Sequence, residues 1–414
     1  MQHVEIPFEV ETHSYRWIVL GGVWLLYFSF GLIAAGMAPI VQPISAELGL
    51  DYAQMGFIMG AWPLLYIVSA IPCGTLLDRI GPGRALLIGI AFIAASGALR
   101  GAATGEYSLF LAVAVFGMGG PIISVGAPKL VSLWFASAER GLAMGIYMTG
   151  ASLGAVSGVA LTNSVFLPLM NGDWRAVMFC YAGFAIACGA VWLLVNLNLT
   201  CRSVEGRCEQ VTQASSFENV TALLRLPSLR LVLLLGMGIF FFNQALGNWL
   251  PEILRSRGMA PAEAGFWAAV PTAIGIIAAL TIPRFATGSR RIPILALVFL
   301  SAAGATLLLR ADPGPILLSG LILQGIARGA MTTTTMLLLI ELPGIDSRKT
   351  GLAGGMFFSA AEIGGVLGPA TIGYVSHATG GFSMPLFLMT VDATVMLVLL
   401  FLLMGTMRRT AIRL

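Results

Sequence analysis

Apolar stretches long enough to cross a lipid bilayer recur along the whole sequence. About 20 apolar residues in a helix span the hydrocarbon, and only helices or closed barrels satisfy every backbone polar group there. Short alternating segments typical of barrel strands are not seen. We therefore predict an all-α integral membrane protein with twelve transmembrane helices, numbered spans 1 to 12, at residues 17–42, 54–77, 83–102, 108–134, 141–167, 174–197, 228–250, 263–284, 292–310, 315–340, 351–375 and 382–405.

Charged residues are rare and unevenly distributed. They make up 10% of the chain, against about 25% in soluble domains. Of the 23 lysines and arginines, Arg328 lies within a span, seventeen fall on one side of the membrane, and five fall on the other, at positions 100, 175, 255, 257 and 310. Because basic loops stay cytoplasmic, we predict a multi-pass protein of the cytoplasmic (inner) membrane with both termini cytoplasmic. This bias also explains the net charge of +4 without a nucleic-acid partner.

The chain divides into two related halves. The longest polar interval predicts a cytoplasmic linker at 198–227, between six-helix bundles at 1–197 and 228–414. "RGLAMGIYMTGASLGAVSG" from Arg140 aligns with "TGLAGGMFFSAAEIGGVLG" from Thr350, an offset of 210 residues. Two diverged repeats predict alternating access around a substrate near the bilayer midplane. Five glycines of span 5 predict a close-packed face, at positions 141, 145, 150, 154 and 158.

A motif between spans 2 and 3 gives the clearest resemblance. "GTLLDRIGPGR" is similar to the signature of the major facilitator superfamily, matching it at Gly74, Asp78, Arg79, Gly81 and Arg84 and departing from it at 82–83. The resemblance implies two pseudo-symmetric six-helix bundles, the major facilitator fold. We expect Gly74 to allow close helix packing, and Asp78 to pair with cations on neighbouring helix ends as a latch of the outward-open state.

Two further segments narrow the resemblance. "KLVSLWFASAERGLAMGIYMTG" and "NWLPEILRSRGMAPAEAGF" resemble segments of the cyanate and nitroimidazole transporter branch, and the first also resembles monocarboxylate and oxalate carriers. This implies a secondary active transporter of a small anionic solute. The alternative is an exporter of hydrophobic drugs. Drug/proton antiporters commonly carry an arginine on helix 4 where Val113 stands here, and spans 1, 4 and 7 hold no acid at mid-depth to bind a cationic drug.

Three ionisable residues lie near mid-depth of the last three spans: Arg328, Glu362 and Asp392. Such residues face a partner or a wet cavity, because an isolated charge in hydrocarbon is costly. Helices 1, 4, 7 and 10 line the cavity of the superfamily, which implies that Arg328 faces it and binds an anion through its planar fork of donors. The alternative is a permanent ion pair with Glu362 or Asp392. In a combined hypothesis, Glu362 releases Arg328 on protonation and couples transport to protons.

Other polar and aromatic residues are weaker candidates. We expect Asn243 and Asn248 on span 7, Tyr27 on span 1 and Tyr147 on span 5 to contact the substrate, with packing or hydrogen bonding between helices as the alternative. Lys129 on span 4 would either place a second positive charge at the inner mouth of the cavity or extend to the lipid interface.

No motif indicates an enzyme or a bound cofactor. The sequence has no phosphate-binding glycine loop, zinc-ligand spacing or hydrolase elbow, and its five cysteines form no CxxC pair. We therefore expect no catalytic residues, metal or cofactor. The expected partners are a small-molecule solute, the lipid bilayer and protons as the coupling ion, and we expect a monomer.

Overall fold

The structure, a computed structural model, describes residues 15–135, 137–197, 217–286, 288–340, 342, 345 and 350–413, and all secondary structure in these ranges is helical. Twelve helical segments of the described chain are long and apolar enough to cross a membrane, which confirms the predicted count. Residues 198–216 of the predicted linker lie outside the described ranges. The remainder of that interval contains a short helix, Phe217–Leu224.

Each span corresponds to one or two helices. The first half contains Tyr15–Ala35 with Val41–Leu48 (span 1), Tyr52–Met59 with Ala61–Ile80 (span 2), Pro82–Gly101 (span 3), Glu106–Trp134 (span 4), Ser137–Leu161 (span 5) and Trp174–Asn196 (span 6). The second half contains Pro227–Ser256 (span 7), Pro261–Phe285 (span 8), Arg291–Leu308 (span 9), Pro315–Ile340 (span 10), Thr350–Thr379 (span 11) and Ser383–Arg413 (span 12).

The two halves repeat the same pattern of helix packing. In the first half, span 1 packs on spans 5 and 6, span 4 on spans 2 and 3, and span 3 on span 6. Adding six to each number gives the pairs of the second half: span 7 with 11 and 12, span 10 with 8 and 9, and span 9 with 12. The main contacts between halves, span 2 with 11 and span 5 with 8, also exchange under this operation. The fold is therefore two pseudo-symmetric six-helix bundles, as predicted.

Glycines bring the paired helices into backbone contact. A Cβ on Gly154 of span 5 would lie 2.0 Å from the carbonyl oxygen of Phe28 on span 1. At the equivalent place, a Cβ on Gly364 of span 11 would lie 1.9 Å from the carbonyl oxygen of Met237 on span 7. Span 5 also uses its glycines at 150 and 158 in this way, but those at 141 and 145 have no such neighbour within 4 Å. The predicted close-packed face is therefore shorter than the sequence suggested.

The halves are closed at one end of the bundle and separated at the other. We call the end where span 1 begins the terminal face, and the other end the opposite face. Toward the opposite face, a Cβ on Gly373 would lie 2.2 Å from the oxygen of Tyr52, and one on Gly265 would lie 2.7 Å from that of Val159, contacts that join the two halves. Toward the terminal face, Gly74 and Gly355 have open space around the Cβ position. The space between the halves therefore opens toward the terminal face.

Candidate substrate-binding cavity

A cavity of about 530 Å³ lies between the two halves. Spans 1, 2 and 5 line it from the first half, and spans 7, 8 and 10 from the second. The residues that carry its chemistry are Tyr27, Phe30, Trp62, Met148, Thr149, Ser152, Gln244, Asn248, Thr272, Arg328 and Thr333. Arg328, on span 10, is the one charged side chain among the described residues of this lining.

Arg328 enters the cavity across a glycine of span 7. A Cβ on Gly247 would lie 3.2 Å from Nη1, so the absence of a side chain there gives the guanidinium its space. Nη1 donates to the backbone oxygen of Asn243 at 3.3 Å, which is long for such a bond. No ion pair joins Arg328 to Glu362, Asp392 or any other acid of the described chain. Its donors therefore remain largely available to a ligand.

Two amides stand beside Arg328 on the cavity wall. Gln244 and Asn248 lie one helical turn apart on span 7 and both line the cavity. Asn248 donates from Nδ2 to the backbone oxygen of Gln244 at 2.8 Å, which engages one of the two protons of that NH2 group. The Gln244 amide has no hydrogen-bond partner among the described residues. Together with Arg328 they form a cluster of donors on the second half's wall.

The wall from the first half is mainly aromatic and apolar. Tyr27, Phe30, Trp62 and Met148 line it. The hydroxyl of Thr149 also reaches the cavity, but it accepts from Trp24 Nε1 at 3.0 Å and donates to a backbone oxygen of its own helix at 2.7 Å. The Thr149 hydroxyl therefore has little remaining capacity to form a hydrogen bond with a ligand.

Three predicted ligand residues stay outside this lining. Tyr147 is 3% exposed and packs edge to face behind Tyr27, with ring centroids 4.8 Å apart. Asn243 offers its backbone oxygen to Arg328, and its side-chain oxygen is buried without a hydrogen bond. Lys129 lies on span 4, which contributes no residue to the cavity.

Sequence reasoning missed Trp62, Ser152 and Thr272 as lining residues. Neither the Ser152 nor the Thr272 hydroxyl has a hydrogen bond to a described residue. Each is a polar residue within an apolar span, a signal that existed but did not distinguish these two from other hydroxyl residues.

Glu362 lies where span 11 meets both span 7 and the first half. Its side chain is buried, 5% exposed. Oε2 lies 2.9 Å from where a Cβ on Gly365 would be, and that position is also 3.4 Å from Pro63 of span 2 and 3.6 Å from Gln244. Oε2 makes no hydrogen bond within the described chain. Glu362 therefore adjoins the cavity wall without pairing with Arg328.

Asp392 occupies a different level of the bundle. Its Oδ1 lies 3.2 Å from the Cβ position of Gly238 on span 7, and its Oδ2 is buried without a hydrogen bond. Gly238 precedes Gly247, the glycine under Arg328, by nine residues, which is about 13 Å along a helix. Asp392 is consequently distant from the charged group of the cavity.

The signature motif is at the terminal face, where the halves are apart. The helix Ala61–Ile80 ends at Gly81, whose φ of 80° suits a residue without a Cβ. Arg79 and Arg84 are exposed. Gly74 has no neighbour within 4 Å of its Cβ position, so the expected close packing is not made in this conformation. The Asp78 side chain lies outside the described part, and the latch stays a prediction.

Polar contacts join the halves at the opposite face, and we call them the closed-face network. Tyr52 donates to Glu252 Oε1 at 2.6 Å, and Arg255 donates to Glu252 Oε2 at 2.8 Å and to Gln42. Asn163 donates to the backbone oxygens of Pro39 at 2.8 Å and Pro261 at 3.2 Å. Each half thus contributes polar groups to the other. None of these pairings was predicted from the sequence.

Comparison with known proteins agrees with this architecture. The sequence profile of the Major Facilitator Superfamily matches residues 23–369. The uncharacterized transporter YycB of Bacillus subtilis is 25% identical, over 92% of this chain and 91% of its own length. The probable galactarate/D-glucarate transporter GudP of Escherichia coli is 23% identical, over 98% of this chain and 96% of its own.

A solved structure shows the same fold. A bacterial homologue of the human lysosomal transporter Spinster, in an inward-facing and unoccupied conformation, superimposes with a TM-score of 0.80 at 16% identity, covering 96% of this chain and 98% of that one. The profile match extends over most of the chain and over both six-helix halves. The chain therefore belongs to the Major Facilitator Superfamily and is a transporter, not an enzyme.

Proposed function

We propose that this protein is a secondary active transporter that moves a small anionic solute by alternating access, with Arg328 as the group that binds the anion. The observation that carries the proposal is the state of Arg328, which lines the cavity, has one long hydrogen bond and has no acidic partner in the described chain. Its companions, Gln244 and Asn248, add uncharged donors on the same wall.

Electrostatics favours this reading over a purely structural arginine. A charged side chain at mid-depth costs about 2.5–3.5 kcal/mol or more unless it is hydrated or paired. A structural arginine would recover that cost through a permanent carboxylate partner, and none is present among the described residues. A bound carboxylate offers bidentate charge-assisted hydrogen bonds to the same guanidinium. An anionic substrate is therefore the partner that the cavity lacks.

The relatives support the same class of solute. GudP of Escherichia coli is named for galactarate and D-glucarate, which are both anions. The motif resemblance to the cyanate and nitroimidazole branch also favours small solutes, and placement in that branch is part of this proposal. The alternative, efflux of hydrophobic cations, would require an acid in the cavity lining, and the described lining contains none.

The two ends of the bundle support alternating access. The closed-face network and the glycine contacts at Gly265 and Gly373 hold the halves together at the opposite face, while the terminal face is open. We propose that the terminal face is cytoplasmic in the inner membrane, because the basic loops lie there. This conformation is then inward-open, and transport requires the network to break as the terminal face closes.

Glu362 is the candidate for the proton-coupling residue, and we propose that the protein works as a monomer. Its carboxyl group is buried between span 11, span 7 and Pro63 of the other half, without a hydrogen bond to Oε2. An ionised carboxylate in such a buried position is costly unless it is hydrogen-bonded. Because the contact between span 2 and span 11 changes when the halves move, Glu362 would gain water in one state and lose it in the other. Proton binding and release would follow that change.

Ligand-dependent thermal unfolding of the purified protein tests the anion site. We expect acetate, benzoate, D-gluconate or D-glucarate to raise the melting temperature, and the cation tetraphenylphosphonium to leave it unchanged. Arg328→Gln should lose the response, because truncating one member of a buried charge pair costs about 2–5 kcal/mol, roughly 30-fold or more in affinity. The matched control is Arg230→Gln, an exposed arginine at the start of span 7.

Two outcomes would contradict the proposal. Stabilisation by tetraphenylphosphonium and by none of the anions would favour the cation exporter. Equal stabilisation of the wild type and Arg328→Gln by an anion would make Arg328 structural.

A further inference from the structure

We infer that the cavity selects amphiphilic monoanions, meaning one carboxylate or comparable group on an apolar body, over dianions and over polyhydroxylated acids. This inference rests on the proposed function, because it uses the same cavity and the same arginine. It concerns which anions are preferred.

The first argument is the number of charges. Arg328 is the one cation of the described lining, and its planar fork can hold one carboxylate in a bidentate manner. A second carboxylate on the same ligand would meet amides, hydroxyls or apolar groups. Glu362 Oε2 and the Gln244 side chain lie 2.9 and 3.6 Å from the Cβ position of Gly365, and an ionised Glu362 would repel a second negative charge. The cavity therefore compensates one negative charge and not two.

The second argument is the division of the cavity into unlike walls. The donor cluster, Arg328 with Gln244 and Asn248, belongs to the second half. Phe30 and Trp62 present aromatic surface from the first half. A ligand with its charge at one end and an apolar body at the other matches both walls at once.

The third argument concerns hydroxyl groups. A site that selects a polyol needs hydrogen-bond partners for every hydroxyl, because unpaired polar groups in a buried complex are penalised. On the first half's wall, Thr149 is already engaged by Trp24 and its own helix, which leaves the hydroxyls of Tyr27 and Ser152 on that wall among the described residues. Four hydroxyl groups of a ligand lying along that wall would therefore lose more hydrogen bonds to water than two protein hydroxyls restore.

The volume is consistent with such a ligand. A cavity of about 150 Å³ holds a benzene molecule, and this cavity measures about 530 Å³. A six-carbon chain or one ring with its carboxylate fits with room for a few waters beside the donor cluster.

Four six-carbon acids separate the effect of a second carboxylate from the effect of hydroxyl groups. Hexanoate is an apolar monoanion, adipate an apolar dianion, D-gluconate a hydroxylated monoanion and D-glucarate a hydroxylated dianion. We would measure the affinity of the purified protein for each by isothermal titration calorimetry at neutral pH. We expect hexanoate to bind at least about tenfold more tightly than each of the other three, the scale on which pocket contacts discriminate ligands. Tighter or equal binding of any of the other three overturns the inference.

Two variants assign the preference to the two walls. Trp62→Ala should weaken hexanoate by about tenfold or more and change D-gluconate less, because it removes apolar surface and no charge. Met148→Lys places a cation on the wall that faces Arg328. It should reduce or reverse the difference in affinity between hexanoate and adipate. The assignment of the preference to these two walls is wrong if the ratio of hexanoate to D-gluconate affinity is unchanged in Trp62→Ala and the ratio of adipate to hexanoate affinity is unchanged in Met148→Lys.

The same titrations keep this inference apart from the proposed function. If D-glucarate binds best and Arg328→Gln abolishes its binding, the anion transporter stands and the monoanion preference is wrong. If one of the acids binds the wild type and Arg328→Gln equally, Arg328 is not the anion site and both fail.

Discussion

A single methyl group on span 11 should change which face of the transporter is open. Gly373 lies in the contact between halves at the opposite face, against the backbone of Tyr52 and the ring of Trp249. In Gly373→Ala the added Cβ would lie 2.2 Å from the Tyr52 oxygen and 2.9 Å from the Trp249 ring. Neither the backbone nor the packed indole can yield by this much, so the halves must separate there by about 1 Å.

The cost falls on one conformation. Overpacking a well-packed contact costs about 1–3 kcal/mol, and the state that is open at the opposite face does not make this contact. The ratio of the two states therefore shifts by about 5–150-fold. If the state open at the opposite face is populated at about 1% in the wild type, an ordinary value for a minor conformer, the variant should populate it at about 5–60%.

Distance measurements between the halves can detect this shift. Thr104 and Asp312 are exposed residues in equivalent turns of the opposite face, one in each half. Spin labels at these positions in a cysteine-free background would report the separation by double electron–electron resonance. We expect Gly373→Ala to add or enlarge a longer-distance component. The control is Gly355→Ala on the same helix, which meets no neighbour within 4 Å; if both variants give the wild-type distribution, the packing argument is refuted.

Contacts of spans 2, 7 and 11 support three further predictions. Glu362→Gln in liposomes should abolish uphill uptake driven by a pH gradient while leaving exchange intact, and Asp392→Asn should leave both unchanged; full uphill transport by Glu362→Gln would exclude it as the proton site. Gly364→Ala should lower the melting temperature relative to Gly355→Ala, by an overpacking cost of about 1–3 kcal/mol, as followed by tryptophan fluorescence. Tyr52→Phe removes a 2.6 Å hydrogen bond to a buried carboxylate of span 7, and should enlarge the longer-distance component of the spin-label experiment.

The spans and the paired halves could be predicted because one physical constraint, the thickness of the hydrocarbon, sets the length of every helix. The expectation that Arg328 faces the cavity comes from its mid-depth position together with the resemblance to the superfamily, in which the tenth helix lines the cavity. Both predictions depend on where a residue lies along its helix. Neither depends on how the helix is rotated.

Rotation explains what the sequence did not predict. Asn243 and Gln244 are neighbours about 100° apart on one helix, and the structure turns Gln244 to the cavity and leaves Asn243 to contribute its carbonyl oxygen. From the sequence, Arg100 is assigned to the five basic residues on the less basic side of the membrane. Its side chain is 2% exposed and donates a hydrogen bond to the backbone oxygen of Ile33 at 2.8 Å. That oxygen lies near the end of the helix Tyr15–Ala35, where carbonyls lose their helical partners. Such contacts depend on tertiary packing that one sequence does not specify.

The placement of Glu362 changes the coupling hypothesis drawn from the sequence. Arg328 and Glu362 both belong to the second half, so a rigid rocking of one half against the other leaves their separation unchanged. What that motion does change is the surroundings of Glu362, because Pro63 beside it belongs to the first half. Protonation of Glu362 would therefore lower the free-energy cost of burying the contact between span 2 and span 11. The anion on Arg328 would act through the cavity that this contact closes. Coupling then arises from two sites that favour the same movement, and it does not require the carboxylate to hold the guanidinium in either state.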